Sequence, residues 1–161
     1  MSATPFPGRL LGIDHGLKVI GLAVCDPTGL IARPLRLLRR TSRRADFAAI
    51  ARAIAEQGTV AVVVGLPLSP PHITAHTQAD TVRLWASRLA AAIPVPVYLW
   101  DERHSSQEAA DLLAEAGRSQ PERVDAVAAA VILQSFLDAL RDEGVPWPEP
   151  VAPAGEESRG G

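Results

Sequence analysis

Acids stand at the ends of apolar segments at three places in this chain. Asp14 closes the run that begins at Leu10. Asp101 and Glu102 together follow directly on the run Val95 to Trp100. Asp125 heads a helical row made by Ala128, Ala129, Ile132 and Phe136. A carboxylate at the end of a buried strand is costly to desolvate unless it binds a cation or is well paired. After Asp14 come His15-Gly16-Leu17-Lys18, and glycine lets a backbone turn sharply and lets a ligand approach it. The same Asp and Gly also suit a plain hairpin turn, and Asp125 also suits a helix N-terminal dipole. Three carboxylates at one point repel each other and persist when divalent metal neutralises them; all-oxygen ligation suits Mg2+ or Mn2+. The matching chemistry is phosphodiester hydrolysis, one ion activating water and another stabilising the leaving 3′ oxygen. Lys18 is placed to contact the scissile phosphate or to offset charge near it.

The elements that must position these acids are legible in the spacing. Leu10 to Asp14 and Val19 to Asp26 read as a strand hairpin joined at Gly16-Leu17-Lys18. Ile31 to Leu38 reads as a third strand, with Pro34 arguing for an edge or a bulge. Ser42 caps a helix over Arg43 to Gln57, with Phe47, Ile50 and Ile54 on one face and Gly58 ending it. Val60 to Gly65 is a continuous β-branched run, typical of a strand buried on both faces. A helix over Thr77 to Ala92 and a strand over Val95 to Trp100 follow. Ser105 and Glu108 form a capping box for a helix reaching Ala116. The last helix spans Glu122 to Arg141. Alternating units after a hairpin imply an α/β fold, a mixed sheet with helices on both faces. In such sheets ligands bind beyond the carboxyl ends of strands, where Asp14 and the Asp101-Glu102 pair can meet. The expected organisation is a flexible N-terminus over 1–8, one domain over 9–143 and a disordered Pro-, Gly- and Glu-rich tail over 144–161.

Composition narrows the class. The net charge is −2, so overall charge does not announce a nucleic-acid binder. Its distribution does: Arg33, Arg36, Arg39, Arg40, Arg43 and Arg44 lie in one window without an acid, and Lys18 is the sole lysine. Guanidinium suits bidentate phosphate contacts; a solvated arginine-rich face is the alternative. The lone Cys25 excludes an intramolecular disulfide and sits in an apolar strand, so a buried thiol in a reducing, cytoplasmic setting is expected. No apolar run reaches the ~20 residues a membrane span needs, and Met1 to Arg9 has no secretory signal pattern. His72 and His76 have i, i+4 spacing but no Glu between them, which disfavours zinc. His15 and His104 flank the acids, and His15 is either a proton-transfer aid or a spacer on a turn.

Four stretches in register carry a family resemblance: Gly12-Ile13-Asp14-His15-Gly16-Leu17-Lys18-Val19-Ile20-Gly21, Val63-Val64-Gly65-Leu66-Pro67-Leu68, Asp101-Glu102-Arg103, and Asp125 to Leu133. Over about Leu10 to Leu140 the chain resembles the YqgF/RuvX family of small RNase H-like nucleases. The resemblance implies an RNase H-like five-stranded mixed sheet, with catalytic, metal-binding acids at Asp14, Glu102 and Asp125. It implies a metal-dependent nuclease that matures the 5′ end of 16S rRNA precursor, related to resolvases of four-way DNA junctions. Lys18, Arg39, Arg40, Arg43, Arg44, Arg103 and Arg123 are the candidate nucleic-acid contacts, to structured RNA or branched DNA. A junction substrate would call for two sites and hence a homodimer. Departures from the family lie at Leu17, where a small hydroxyl residue is usual, in the loop Ser69 to His76, and before Asp125, where Arg118 and Arg123 replace lysines. Competing readings are an actin-like phosphate-loop protein, which would need a second such domain, and a non-catalytic binding module built on the arginine cluster.

Overall fold

The hairpin at the start of the chain seeds the sheet. The computed structural model describes residues 6–67, 77–101 and 124–155. Strand β1 (Leu10–His15) pairs antiparallel with β2 (Val19–Cys25), Asp14 opposite Gly21. Strand β3 (Ala32–Arg39) continues the meander on the outer edge. Its register slips between Leu22 and Ala23, which face Arg36 and Pro34, so Leu35 is the extra residue. Proline cannot donate to a ladder, and an edge strand with a bulge is where it is tolerated. Strands β4 (Ala61–Leu66) and β5 (Val97–Asp101) add in parallel, giving the order β3-β2-β1-β4-β5. With β2 alone reversed, the carboxyl ends of the other four strands lie along one edge.

Helices cover both faces, as the alternation of units predicts. Helix α1 (Arg43–Gln57) starts where Ser42 accepts from the Ala45 N–H and stops at Gly58, whose φ of 65° is the left-handed C-cap conformation. Helix α2 (Gln78–Ala92) starts with a reciprocal capping box between Thr77 and Asp80. Both pack on one face, where Phe47, Ile50, Trp85 and Leu89 meet Ile13 and Val64. Among the described helices, α3 (Val124–Asp142) packs on the other, through Ala129, Leu133 and Phe136 against Leu10, Val63 and Trp100. Strand β4 is buried from Ala61 through Gly65, as its unbroken apolar run requires. The Cys25 thiol is buried and accepts from the Leu10 N–H, and burial pushes its pKa up. Among the described residues no helix is long and apolar enough to cross a membrane.

Both ends depart from the expected organisation. Phe6 packs against Trp147 in a tilted contact, with ring centroids 6.1 Å apart, so the packed unit begins before residue 9. The segment after Gly144 is not a disordered tail: through Gly155 it is an extended strap over the sheet. Trp147 packs edge-on against Tyr98 and Phe136. The Val151 N–H donates to the Val97 carbonyl at 2.7 Å, and the Ala154 N–H to the Ser87 carbonyl at 2.9 Å. Prolines pre-extend a segment at low entropic cost, and three apolar anchors, Val145, Trp147 and Val151, suffice to dock it. The strap covers the start of the edge strand β5, whose open backbone would otherwise invite pairing with another chain. The expected helix Ser105 to Ala116, the loop 68–76 and residues 156–161 lie outside the described residues.

Candidate active edge

Asp14 is half-buried near the end of β1, on the face that α3 covers. Side chains alternate along a strand, so Leu10, Gly12 and Asp14 share this face while Leu11, Ile13 and His15 share the other. Gly12 is where α3 comes closest. A Cβ there would lie 2.8 Å from the Leu133 Cβ and 3.0 Å from the Ala129 carbonyl oxygen. The helix thus crosses β1 with Ala129 and Leu133 over Gly12, while Gln134 reaches the Ala32 N–H at the opposite edge, at 2.8 Å. Helix α3 therefore begins at the edge where β1 ends, and Asp125 is its second residue.

Glycines flank Asp14 on both sides. Gly21 stands opposite it on β2. On β4, one step past the Ile13–Val64 pair, Gly65 stands level with it, and Gly65 in turn pairs with Trp100. The row across the sheet therefore reads Leu37, Gly21, Asp14, Gly65, Trp100. Neither immediate neighbour of the carboxylate brings a side chain into the space above it. Trp100 is held by α3, its Nε1–H donating to Ser135 Oγ at 3.0 Å.

Asp101 pairs with Leu66 at the same edge. It follows Val97 and Leu99, which face α1 and α2, so strand alternation puts Asp101 on the face away from Asp14. His15 is on that far face as well. It is 7 % exposed, packed against Trp85 in a tilted ring contact with centroids 4.7 Å apart, and burial followed by the nearby Arg40 charge lowers its pKa. It is the last residue of β1 and a core side chain, neither a turn spacer nor a proton carrier for Asp14.

The basic residues divide. Lys18, Arg39, Arg43 and Arg44 are exposed, and all four stand at the carboxyl edge: Lys18 on the β1–β2 turn, Arg39 at the end of β3, Arg43 and Arg44 in the first turn of α1. Arg36 pairs with Glu56 at 3.3 Å on the α1 face. Arg40 turns inward. Its Nη1 donates to the Gly16 carbonyl at 3.0 Å, and its Nε lies 3.7 Å from Asp46 Oδ2. Asp46 is a buried acid, and its one signal in the sequence is its place in the first turn of α1, six residues after Arg40. Glu102, Arg103 and Arg123 lie outside the described residues.

These features have counterparts in known proteins. The family model RuvX, described as a Holliday junction resolvase, matches residues 8–139. The chain belongs to the RuvX family. A relative from Anaeromyxobacter sp. (strain Fw109-5), named as a candidate pre-16S rRNA nuclease, is 47% identical over 133 residues, covering 81% of this chain and 96% of its own. A second of the same name, from Myxococcus xanthus (strain DK1622), is 43% identical over 136 residues, covering 83% and 89%. Among solved structures, RuvC of T. thermophilus in complex with a Holliday junction substrate superposes with a TM-score of 0.56. It does so at 18% identity, over 84% of this chain and 96% of that one. The fold is thus RNase H-like, as the RuvX resemblance implies.

Proposed function

We propose that this RuvX-family protein is a metal-dependent nuclease that hydrolyses phosphodiester bonds in the 5′-end maturation of 16S rRNA precursor, with Asp14, Glu102 and Asp125 as its catalytic acids. The observation that carries the reading is Asp14 in its glycine-flanked row at the carboxyl edge, in a chain over 40% identical to relatives bearing that name along most of their length. Two spacings support Asp125. From Ala129 back to Asp125 is four helical residues, ~6 Å of rise. From Gly12 on to Asp14 is two strand residues, ~7 Å in the same direction. The backbone at Asp125 is thereby carried to the level of Asp14. On β5, Asp101 belongs to the far face, and Glu102 enters the proposal through the family resemblance.

The donor set is all carboxylate oxygen, which fits a hard divalent cation, Mg2+ or Mn2+. Such an ion, bound there, supplies Lewis-acid polarisation of the scissile phosphate and activation of the attacking water. The chain's own residues do the rest. The three carboxylates hold and orient the ion. The absence of side chains at Gly21 and Gly65 leaves room for a phosphate above Asp14. Lys18, Arg39, Arg43 and Arg44, together with Arg103 and Arg123, donate to flanking phosphates and set the register of the strand.

Asp14→Asn removes one anionic ligand but no phosphate donor. It should abolish cleavage while leaving nucleic-acid affinity within about twofold, since phosphate contacts set that affinity. Cleavage of a precursor-rRNA fragment and gel-shift binding measure the two. Full activity in the variant, or activity surviving excess EDTA, overturns the reading. A second reading, resolution of four-way DNA junctions, is favoured by the description of the family model itself. It requires a symmetric dimer, because two strands must be cut. Side-by-side cleavage of a junction and of the rRNA fragment, each with Mg2+ and with Mn2+, separates the two.

A further inference from the structure

We propose that Arg40 is a positioning residue for this site: its guanidinium, anchored on Asp46 of α1, fixes the Gly16–Lys18 turn that presents Lys18 beside Asp14. The proposal rests on the nuclease reading above and reassigns Arg40 from the phosphate-contacting set. Three carbonyls of the turn converge on this one residue. Arg40 Nη1 donates to the Gly16 carbonyl at 3.0 Å and reaches the Leu17 carbonyl at 3.5 Å. The backbone N–H of Arg40 donates to the Lys18 carbonyl at 2.8 Å.

Among the described residues, no apolar contact holds the turn in place. Leu17 is 83 % exposed, and Lys18 is exposed as well. Within the turn, the Gly16 N–H donates to the Val19 carbonyl at 3.0 Å. A Cβ at residue 16 would run into that same carbonyl. The shape of the turn therefore depends on its polar contacts, and Arg40 supplies those that tie it to the body of the domain. The tie ends on a fixed point: the Asp46 side chain is 5 % exposed, its Oδ2 faces Arg40 Nε at 3.7 Å and its Oδ1 accepts from the Thr41 N–H at 3.1 Å. A planar fork of donors can bridge two carbonyls and a carboxylate at once; an ammonium on a flexible stem cannot. The Arg40 side chain is 28 % exposed, whereas Arg39, Arg43 and Arg44 around it are open to solvent.

The test is a comparison of signs. If Arg40 instead contacted substrate phosphate, removing the Asp46 charge would release the guanidinium and tighten binding. If it positions the turn, removing that charge loosens the turn and weakens binding. Steady-state cleavage of the precursor fragment, at a temperature well below unfolding, should show KM raised in Asp46→Asn. Arg40→Ala should lose about ten- to a hundredfold in kcat/KM, the scale of misplacing a substrate-contacting group. Arg40→Lys should recover only part of that loss. Amide exchange of residues 16 and 40 should speed up in Arg40→Ala and in Asp46→Asn. A merely stabilising role would shift the unfolding temperature and leave KM and these amides at their wild-type values. A lower or unchanged KM in Asp46→Asn, or unchanged exchange in both variants, overturns the proposal. Should the wild-type protein fail to cleave, the nuclease reading falls. The exchange data, with Kd for a phosphorothioate-blocked RNA in place of KM, then still decide the role of Arg40.

Discussion

Gly12 and the proposed catalytic acid Asp14 share one face of β1. Two residues apart, they are passed by the same helix, and the first sets how near that helix comes. The Ala129 carbonyl and the Leu133 side chain occupy the volume a methyl group would need. Gly12→Ala is therefore an overpacking substitution and should destabilise by about 1–3 kcal/mol. Denaturant unfolding measures this. A loss below about 0.5 kcal/mol, the range of ordinary surface substitutions, would show that α3 tolerates a wider separation. At this scale the sequence is most legible where a residue answers to its neighbours in the chain. Asp14 after an apolar run, Ser42 before a helix and Gly58 after it are of this kind. Arg40 is legible only as one more arginine of a cluster. Its inward course depends on the Gly16 carbonyl, 24 residues away, which no local pattern encodes.

The elements follow the same division. Strand β4, helix α1 and the hairpin have boundaries close to those their spacing predicts, because each buries a face whose period is written in consecutive residues. The strap after Gly144 does not. Its composition reads as disorder, but backbone hydrogen bonds to the Val97 and Ser87 carbonyls and the packing of Trp147 into the ring cluster of Phe6, Tyr98 and Phe136 dock it. The link between β2 and β3 shows local chemistry fixing a connection. Asp26 Oδ1 accepts from the Leu30 and Ile31 N–H groups, and Oδ2 from the Thr28 N–H and hydroxyl. Those bonds, that to Ile31 first and then that to the Thr28 hydroxyl, hold the carboxyl well below the usual carboxylate range. A depressed folded-state pKa contributes stability that is complete above the unfolded value, about 3.9, and is lost as pH falls toward the folded one. Asp26→Asn should thus be less stable than wild type at neutral pH. The gap should narrow as pH drops below about 4. Thermal unfolding across that range reads the effect, and a gap independent of pH would assign it to shape alone.

Across the whole molecule, one reversed strand organises the surface. Because β2 alone runs the other way, the ends of β1, β3, β4 and β5 and the starts of α1 and α3 gather at one edge. That edge carries Asp14 together with Lys18, Arg39, Arg43 and Arg44, in a chain whose net charge is −2. A concentrated positive rim on a mildly acidic body makes attraction to phosphate local, and under the proposed function it would orient a strand toward the acids before any contact forms. Each phosphate neutralised releases counterions, so the slope of log affinity on log salt counts the contacts. Replacing Arg39, Arg43 and Arg44 together by Ala should flatten that slope by about two to three, at ~0.7 per contact on single strands and ~0.9 on duplex DNA. The loss should be similar for unrelated sequences, since backbone contacts carry no base information. These side chains are exposed, so the unfolding midpoint should stay near that of wild type, which separates a lost footprint from a lost fold. Fluorescence anisotropy titrations from low to moderate salt give the slope. A triple variant with the wild-type slope would show that the three arginines are a solvated face. The footprint would then belong to Lys18, Arg103 and Arg123.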